Sequence, residues 1–187
     1  MKTLAVVIAA GLLAAGTAHA GTAHAEPAPV AHTSAKFETY SATARAVTHD
    51  PAKVPVGARI TVVGVPTIDG GTTVLLVLNG LLPNRAYGAH VHVKACGANP
   101  ADSGPHFQHV EDPVQPSVDP AYANSRNEIW LDVHTDANGF AQSSSTVDWQ
   151  FTERHAQSVV LHDEHTHTKP GEAGTAGPRL GCANVPF

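Results

Sequence analysis

The sequence has no excess of basic residues and no long apolar run beyond its first residues, and it contains only two cysteines. Its 11 lysines and arginines are outnumbered by 16 acidic residues, which gives a formal net charge of -5. This balance argues against nucleic acid or an anionic membrane surface as the main partner. Beyond residues 4–15, no stretch approaches the roughly 20 apolar residues of a membrane-spanning helix, so we expect no transmembrane anchor.

The first residues have the pattern of a secretory signal peptide, which predicts a secreted, extracellular protein. Lys2 precedes the apolar run, and the small residues Ala18-His19-Ala20 follow it as a cleavage site. A similar tripeptide ends at Ala25, so cleavage after Ala20 and cleavage after Ala25 both stay open. Neither site has a neighbouring cysteine for lipid attachment. We therefore expect residues 1–20 to be the signal peptide.

The rest of the chain divides into a tether and one domain. Residues 21–35 are rich in alanine and proline without hydrophobic periodicity, which predicts a disordered tether. Residues 36–187 contain short β-type runs separated by turn sequences such as Asp136-Ala137-Asn138-Gly139, and no long helix. The runs are 37–47, 59–67, 72–79, 87–95, 128–135, 140–149, 158–161 and 180–185. They predict an all-β domain, an antiparallel sandwich or flattened barrel.

The two cysteines, Cys96 and Cys182, favour one disulfide, because an exported chain meets an oxidising environment. Such a bridge would close a loop of 86 residues. The chain-entropy model values a loop of that length at about 4 to 5 kcal/mol. Two free, buried thiols are the alternative.

Among the 13 histidines, His90 and His92 have the most informative spacing. Alternate residues of a β-strand face the same side, so both imidazoles would lie about 7 Å apart, within reach of one metal ion. The alternative is a polar strand edge that faces solvent. His106, in a loop, and His162, at the end of an apolar run, are individually more typical of solvated residues. Together the four residues offer four nitrogens, the number that a tetragonal Cu(II) site prefers.

Several motifs resemble the copper-zinc superoxide dismutase family, in the right order from about residue 37 onward. They are Gly80-Leu81-Leu82-Pro83, Gly88-Ala89-His90-Val91-His92, Cys96, Gly104-Pro105-His106-Phe107, Asp136-Ala137-Asn138-Gly139, Val160-Leu161-His162-Asp163 and Ala176-Gly177-Pro178-Arg179-Leu180-Gly181-Cys182. The resemblance implies an eight-stranded Greek-key antiparallel β-barrel, superoxide dismutases being one example of such sandwich architectures. It also implies a copper-dependent oxidoreductase that converts superoxide to oxygen and hydrogen peroxide.

The resemblance assigns roles to individual residues. The copper ligands would be His90, His92, His106 and His162. His106 would take the place of the family's bridging histidine and would also carry a proton, while Arg179 would guide and hold the superoxide anion. Lys94 and Lys169 would help to attract this anion. Cys96 and Cys182 match the family's disulfide, which ties the loop of His106 to the strand of Arg179. We expect the four imidazoles to meet at the mouth of the barrel.

The zinc site of the family is not found in this sequence. Counted back from the turn at 136–139, Arg126 falls at the last zinc histidine and Ile129 at the zinc aspartate. The connection after His162 is short and lacks the aspartate that links the two metal sites. These gaps resemble a copper-only secreted bacterial branch, in which a carboxylate supports the bridging histidine. Glu128 is the candidate carboxylate and Asp132 the alternate; a solvent-facing Glu128 stays open.

Three other interpretations stay open. Four histidines, His109, His134, His165 and His167, could form an unorthodox zinc site. The protein could be a secreted copper-binding or copper-buffering protein without dismutase activity, or a structural domain with relic histidines. Arg179 distinguishes a dismutase from a copper-buffering protein, because a buffer needs no anion-guiding guanidinium beside the metal. The sequence leaves the oligomeric state unassigned, because a self-complementary apolar patch cannot be located without a surface.

Overall fold

The computed structural model describes residues 30–187, so the predicted signal peptide and residues 21–29 of the predicted tether lie outside the described residues. The described chain contains nine strands and one short 3-10 helix, Pro100–Ser103. The strands are β1 Ala31–Glu38, β2 Ala46–Thr48, β3 Arg59–Pro66, β4 Thr72–Asn79, β5 Ala86–His92, β6 Val133–His134, β7 Ala141–Val147, β8 Ser158–His162 and β9 Arg179–Asn184. Within this range, none of the helical structure has the length and apolar character of a membrane span.

The nine strands form one nearly closed sheet in the order β6-β5-β8-β9-β2-β1-β3-β4-β7. Neighbours in this order are often distant in sequence, so crossover connections link the two halves of the barrel. The all-β barrel prediction is confirmed. The strand count is nine and not eight because the first predicted run divides into β1 and β2. Strands β1 and β2 pair in parallel, while the other pairs are antiparallel.

The beginning of the barrel differs from the prediction in two ways. Residues 31–35, assigned to the tether, belong to β1, where they pair with β3 and bury Ala31 and Thr33. Small side chains fit this inner face, although they lack the apolar signature of a strand. The predicted run 37–47 is two strands, because the polar, mostly exposed residues 39–45 leave the sheet before Ala46 returns beside Phe37.

The predicted strand 128–135 is also shorter in the structure. Only Val133–His134 forms β6, and the residues before it make isolated bridges, His90 to Trp130 and Gln108 to Glu128. These bridges hold the 128–132 segment over β5 as a cover. Glu128 and Trp130 of that segment therefore lie beside the histidines, while Ile129 and Leu131 join the hydrophobic core.

Strands β5 and β8 are buried on both faces, unlike β3 and β4, which alternate between core and solvent. Tyr87, Ala89 and Val91 of β5 face the hydrophobic core, together with Val159 and Leu161 of β8. Alternation turns the intervening residues outward, where the 93–132 and 163–178 connections cover them. This covered outer face is where the predicted metal ligands lie.

Candidate metal centre

The histidines meet on the covered outer face of β5 and β8. His90 lies opposite Val160 of β8, and His92 forms an isolated bridge with His106 of the following loop. The β8–β9 register shifts between Leu161 and His162, so His162 pairs with Arg179. Such irregularities re-aim a side chain, here at the histidine that ends β8. The expected location at the barrel mouth is wrong, because the other face of β5 fills the barrel core.

The four imidazoles form one compact group. His90, His92, His106 and His162 each offer one ring nitrogen, and these atoms lie within 4.8 Å of one another. His90 and His92 are fully buried, and His162 is 4% exposed. Within residues 30–187 this is the one group of its kind, and four imidazole nitrogens are a donor set suited to Cu(II) or Zn(II).

Hydrogen bonds on the outer side of the rings orient three of the imidazoles. His92 Nδ1 lies 3.0 Å from the carbonyl oxygen of Gly104, and His162 Nδ1 lies 3.3 Å from that of Gly177. A carbonyl oxygen can only accept, so each Nδ1 carries the proton and each Nε2 keeps a free lone pair. His106 Nδ1 lies 2.8 Å from Glu128 Oε2 and donates to it in the same way.

The inward-facing nitrogens can bind a cation, but they cannot form hydrogen bonds to one another. His92 Nε2 and His162 Nε2 lie 3.4 Å apart, yet neither carries a proton for a hydrogen bond when Nδ1 is protonated. His90 Nδ1 is buried without a hydrogen-bond partner among the described residues. A buried polar atom without a partner costs free energy unless something else satisfies it. The converging lone pairs therefore fit a metal ion.

Burial also keeps these imidazoles neutral. Loss of solvation, followed by the proximity of His106, holds the pKa of His90 and of His92 well below the ordinary value. Burial, again followed by His106, lowers the pKa of His162 to about 3. Only a neutral imidazole can ligate a metal, so His90, His92 and His162 can bind an ion at neutral pH without releasing protons.

Glu128 is buried beside His106 and is fully hydrogen-bonded. Its Oε2 accepts from His106 Nδ1 at 2.8 Å and from Trp130 Nε1 at 2.7 Å, and its Oε1 accepts from Gln108 Nε2 at 2.8 Å. The side chain is thus not the solvent-facing residue of the alternative interpretation. Asp132 contacts a different segment, through Thr166, and not His106.

Arg179 lies at the start of β9, on a wall of an open cleft of about 330 Å³ that also includes His106 and His162. Its Nη1 donates to Pro100 O at 3.0 Å and to Ser103 Oγ at 2.9 Å, which leaves its other nitrogens free. Burial lowers the pKa of its guanidinium. An arginine stays protonated even so, and it places a positive charge beside the cleft.

A disulfide joins the two cysteines and holds this wall together. Cys96 and Cys182 are bonded, with Cα atoms 5.6 Å apart. The bond anchors the loop that contains the 3-10 helix to β9, and Arg179 donates to that same helix. The disulfide is typical of an oxidising, extracellular environment.

Solved structures share this fold. The crystal structure of the clock protein EA4 aligns with a TM-score of 0.56 at 20% identity, over 90% of this chain and 99% of that chain. A double mutant of a superoxide dismutase-like (SOD-like) protein from Bacillus subtilis aligns with a TM-score of 0.52 at 16% identity, over 68% and 90%. The fold is SOD-like. No protein-family profile and no curated protein matches the sequence.

Other predicted residues lie apart from this centre. His109 stacks on Trp149 with ring centroids 5.1 Å apart, and His165 Nε2 donates to the carbonyl oxygen of Val133. His134 and His167 have separate partners, so the structure does not assemble these four histidines into a zinc site. Lys94 and Lys169 do not line the cleft. Arg126 is exposed and Ile129 belongs to the hydrophobic core.

The sequence patterns do not point to four further residues around the centre. Gln108 and Trp130 hold Glu128, Ser103 holds Arg179, and Thr166 contacts His90. Gln108 and Trp130 each stand two positions from a residue that was predicted, His106 and Glu128. That period-two spacing was the available signal. Ser103 and Thr166 lie in irregular segments, where spacing does not predict orientation.

Proposed function

We propose that this protein is a secreted superoxide dismutase that uses a single copper ion held by His90, His92, His106 and His162. The observation that carries the proposal is the convergence of four imidazoles, three of them buried, beside a cleft that Arg179 lines. A copper ion bound there would supply the redox chemistry, taking one electron from a first superoxide and giving one to a second. The products are oxygen and, with two protons, hydrogen peroxide.

Arg179 binds and orients the anionic substrate in this proposal. The chain has a formal net charge of -5, so attraction of superoxide depends on a local positive charge. Hydrogen bonds from Nη1 to Pro100 and Ser103 fix the guanidinium at the wall of the cleft, where its remaining N–H groups would bind a small anion. This feature favours a dismutase over a copper buffer, which needs no anion-binding group.

His106 carries a proton to the reduced substrate in this proposal. Its side chain is 17% exposed and lines the cleft, whereas Glu128 beside it is almost fully buried. Nε2 of His106 takes a proton and delivers it to the reduced substrate, while Nδ1 keeps its hydrogen bond to Glu128. The carboxylate thus holds the ring in place through the cycle. It would take the role that zinc has toward the bridging histidine in the copper-zinc superoxide dismutase family.

The test combines metal analysis with a superoxide-consumption assay on the full chain. We expect about one copper per chain, activity that requires copper, and no gain when zinc is added to the copper-loaded protein. Copper uptake without superoxide consumption would overturn the dismutase and favour a copper-buffering protein. Failure to bind copper at all would favour a structural domain with relic histidines.

A further inference from the structure

A hydrogen-bonded chain leads outward from His90, the one ligand of the four whose Nδ1 faces the centre. His90 Nε2 lies 2.6 Å from Thr166 Oγ1, and Thr166 Oγ1 lies 2.7 Å from Asp132 Oδ1. The distance from His90 Nε2 to Asp132 Oδ1 is 4.0 Å, too long for a direct hydrogen bond. The threonine hydroxyl therefore connects the ring to the carboxylate.

Asp132 is itself held by the backbone. Its Oδ1 accepts from the amide of Ala89 at 3.2 Å, and its Oδ2 accepts from the amide of Thr166 at 2.7 Å. These contacts join β5 to the segment after β8, which are distant in sequence. Two backbone amides thus hold the Asp132 carboxylate in place independently of the Thr166 hydroxyl. Thr166 in turn is held by Asp132 through both its amide and its hydroxyl.

Only one assignment of donors and acceptors satisfies the hydrogen bonds between His90, Thr166 and Asp132. A carboxylate only accepts, so the single proton of the Thr166 hydroxyl goes to Asp132. Thr166 Oγ1 then has only lone pairs to offer His90, so His90 Nε2 must carry the proton. A neutral imidazole has one N–H, which leaves His90 Nδ1 as a bare lone pair. This is the buried atom that has no partner among the described residues.

We infer that Thr166, oriented by Asp132, is a positioning residue that sets the tautomer of His90 and aims its Nδ1 at the metal. The inference rests on the proposed metal site and deepens it by naming what sets its fourth ligand. A hydroxyl takes the role that carboxylates or carbonyl oxygens commonly have beside ligating histidines. A threonine contributes no negative charge of its own beside the ring.

The first test reads the tautomer without any metal. Long-range proton–nitrogen NMR spectra of the chelator-treated full chain report which nitrogen of His90 is protonated. We expect the Nε2–H form in the wild-type protein and a mixture of tautomers in Thr166→Val. An Nδ1–H form, or the same spectrum in both proteins, would overturn the inference.

The second test measures Cu(II) affinity by competition with a chelator. Loss of the outer hydrogen bond in Thr166→Val should weaken binding by about 10- to 100-fold, and Thr166→Ser should restore it. Thr33→Val is the matched control, because it removes a buried threonine hydroxyl that donates to the carbonyl oxygen of Asn184 and not to a histidine. It should leave Cu(II) affinity unchanged. Equal affinity in the wild-type and Thr166→Val proteins would overturn the inference.

The two tests separate this inference from the proposed function. A wild-type chain that takes up no copper would overturn the proposed dismutase, and the NMR measurement on the metal-free chain would still decide the role of Thr166. If the protein binds copper and consumes superoxide, but the tautomer of His90 is the same in the wild-type and Thr166→Val proteins, only the inference is overturned.

Discussion

Single hydrogen bonds decide the chemistry of this site. Each histidine of the group has one ring nitrogen committed to a partner outside the group and the other directed inward. The partners differ: two carbonyl oxygens, one carboxylate and one hydroxyl. The four inward nitrogens are therefore oriented before any ion arrives, which lowers the cost of ordering them on binding.

Replacement of Arg179 by alanine should slow the reaction and reduce its sensitivity to salt, while copper content stays unchanged. Local charges of this kind raise association rates by about 10- to 1000-fold, superoxide dismutase being one of the standard examples, so we expect at least a tenfold loss. The measurement is the superoxide-consumption rate at two ionic strengths. Arg59→Ala, an exposed arginine of β3, is the control. An unchanged rate would remove Arg179 from the mechanism.

Replacement of Glu128 by glutamine should lower the free energy of unfolding by about 1 to 3 kcal/mol. The carboxylate accepts from three buried or half-buried donors, and an amide of the same shape places an N–H against at least one of them. Urea denaturation measures the loss. Glu111→Gln, whose exposed side chain pairs with Arg154, should change stability by less than about 0.5 kcal/mol. Equal effects of the two substitutions would contradict the prediction.

At the scale of elements, the site depends on β5 and β8 being sandwiched between the core and two long connections. Gly88 of β5 lies opposite His162 of β8 and allows the 163–177 connection to approach closely. A Cβ at this position would collide with the carbonyl oxygen of Glu164 and lie 2.7 Å from Ala176 Cβ. That connection contains both Thr166 and Gly177, so its position orients two of the histidines.

Replacement of Gly88 by alanine should displace this connection and destabilise the protein by about 1 to 3 kcal/mol. Cu(II) affinity should fall as well, because His90 and His162 lose the alignment of their outer hydrogen bonds. Urea denaturation and chelator competition measure the two effects. Gly64→Ala is the control, since its nearest contact is the Phe187 ring at 3.1 Å, a side chain that can shift. Normal copper affinity in Gly88→Ala would contradict the expected coupling.

At the scale of the whole molecule, folding buries three imidazoles that the unfolded chain exposes. The pKa of His162 falls from 6.5 to about 3, and those of His90 and His92 fall in the same direction, with burial as the largest cause. Below pH 6.5 the unfolded chain therefore binds protons that the folded chain excludes. Since protons bind preferentially to the unfolded state, acid destabilises the fold.

The metal-free protein should accordingly lose stability as the pH falls from about 6.5 towards 3, and should gain none from a rise above 7.5. Urea denaturation of the chelated chain at pH 7.5, 6 and 5 measures the slope. Copper-loaded protein is the comparison, because a bound ion adds to the stability of the folded state at neutral pH. Constant stability of the metal-free chain between pH 7.5 and 5 would contradict the burial of neutral imidazoles.

Local patterns in the sequence predicted much of the fold and the donor set. The run 72–79 matches β4, and the spacing of His90 and His92 predicted two imidazoles on one face of β5. Both are short-range properties, because the alternation of a strand depends only on neighbouring residues. The same local signals failed at residues 31–35, where small residues form β1 without an apolar pattern.

The sequence by itself therefore determined most of the strands and the alternation that places His90 and His92 on one face of β5. Only the tertiary structure decided what the outer side of each ring contacts: Glu128 and not Asp132 beside His106, and Thr166 between His90 and Asp132. It also decided that the site lies on the covered outer face of the barrel. The reason is physical, because these contacts join residues 22 to 76 positions apart whose meeting depends on how the connections pack over β5 and β8.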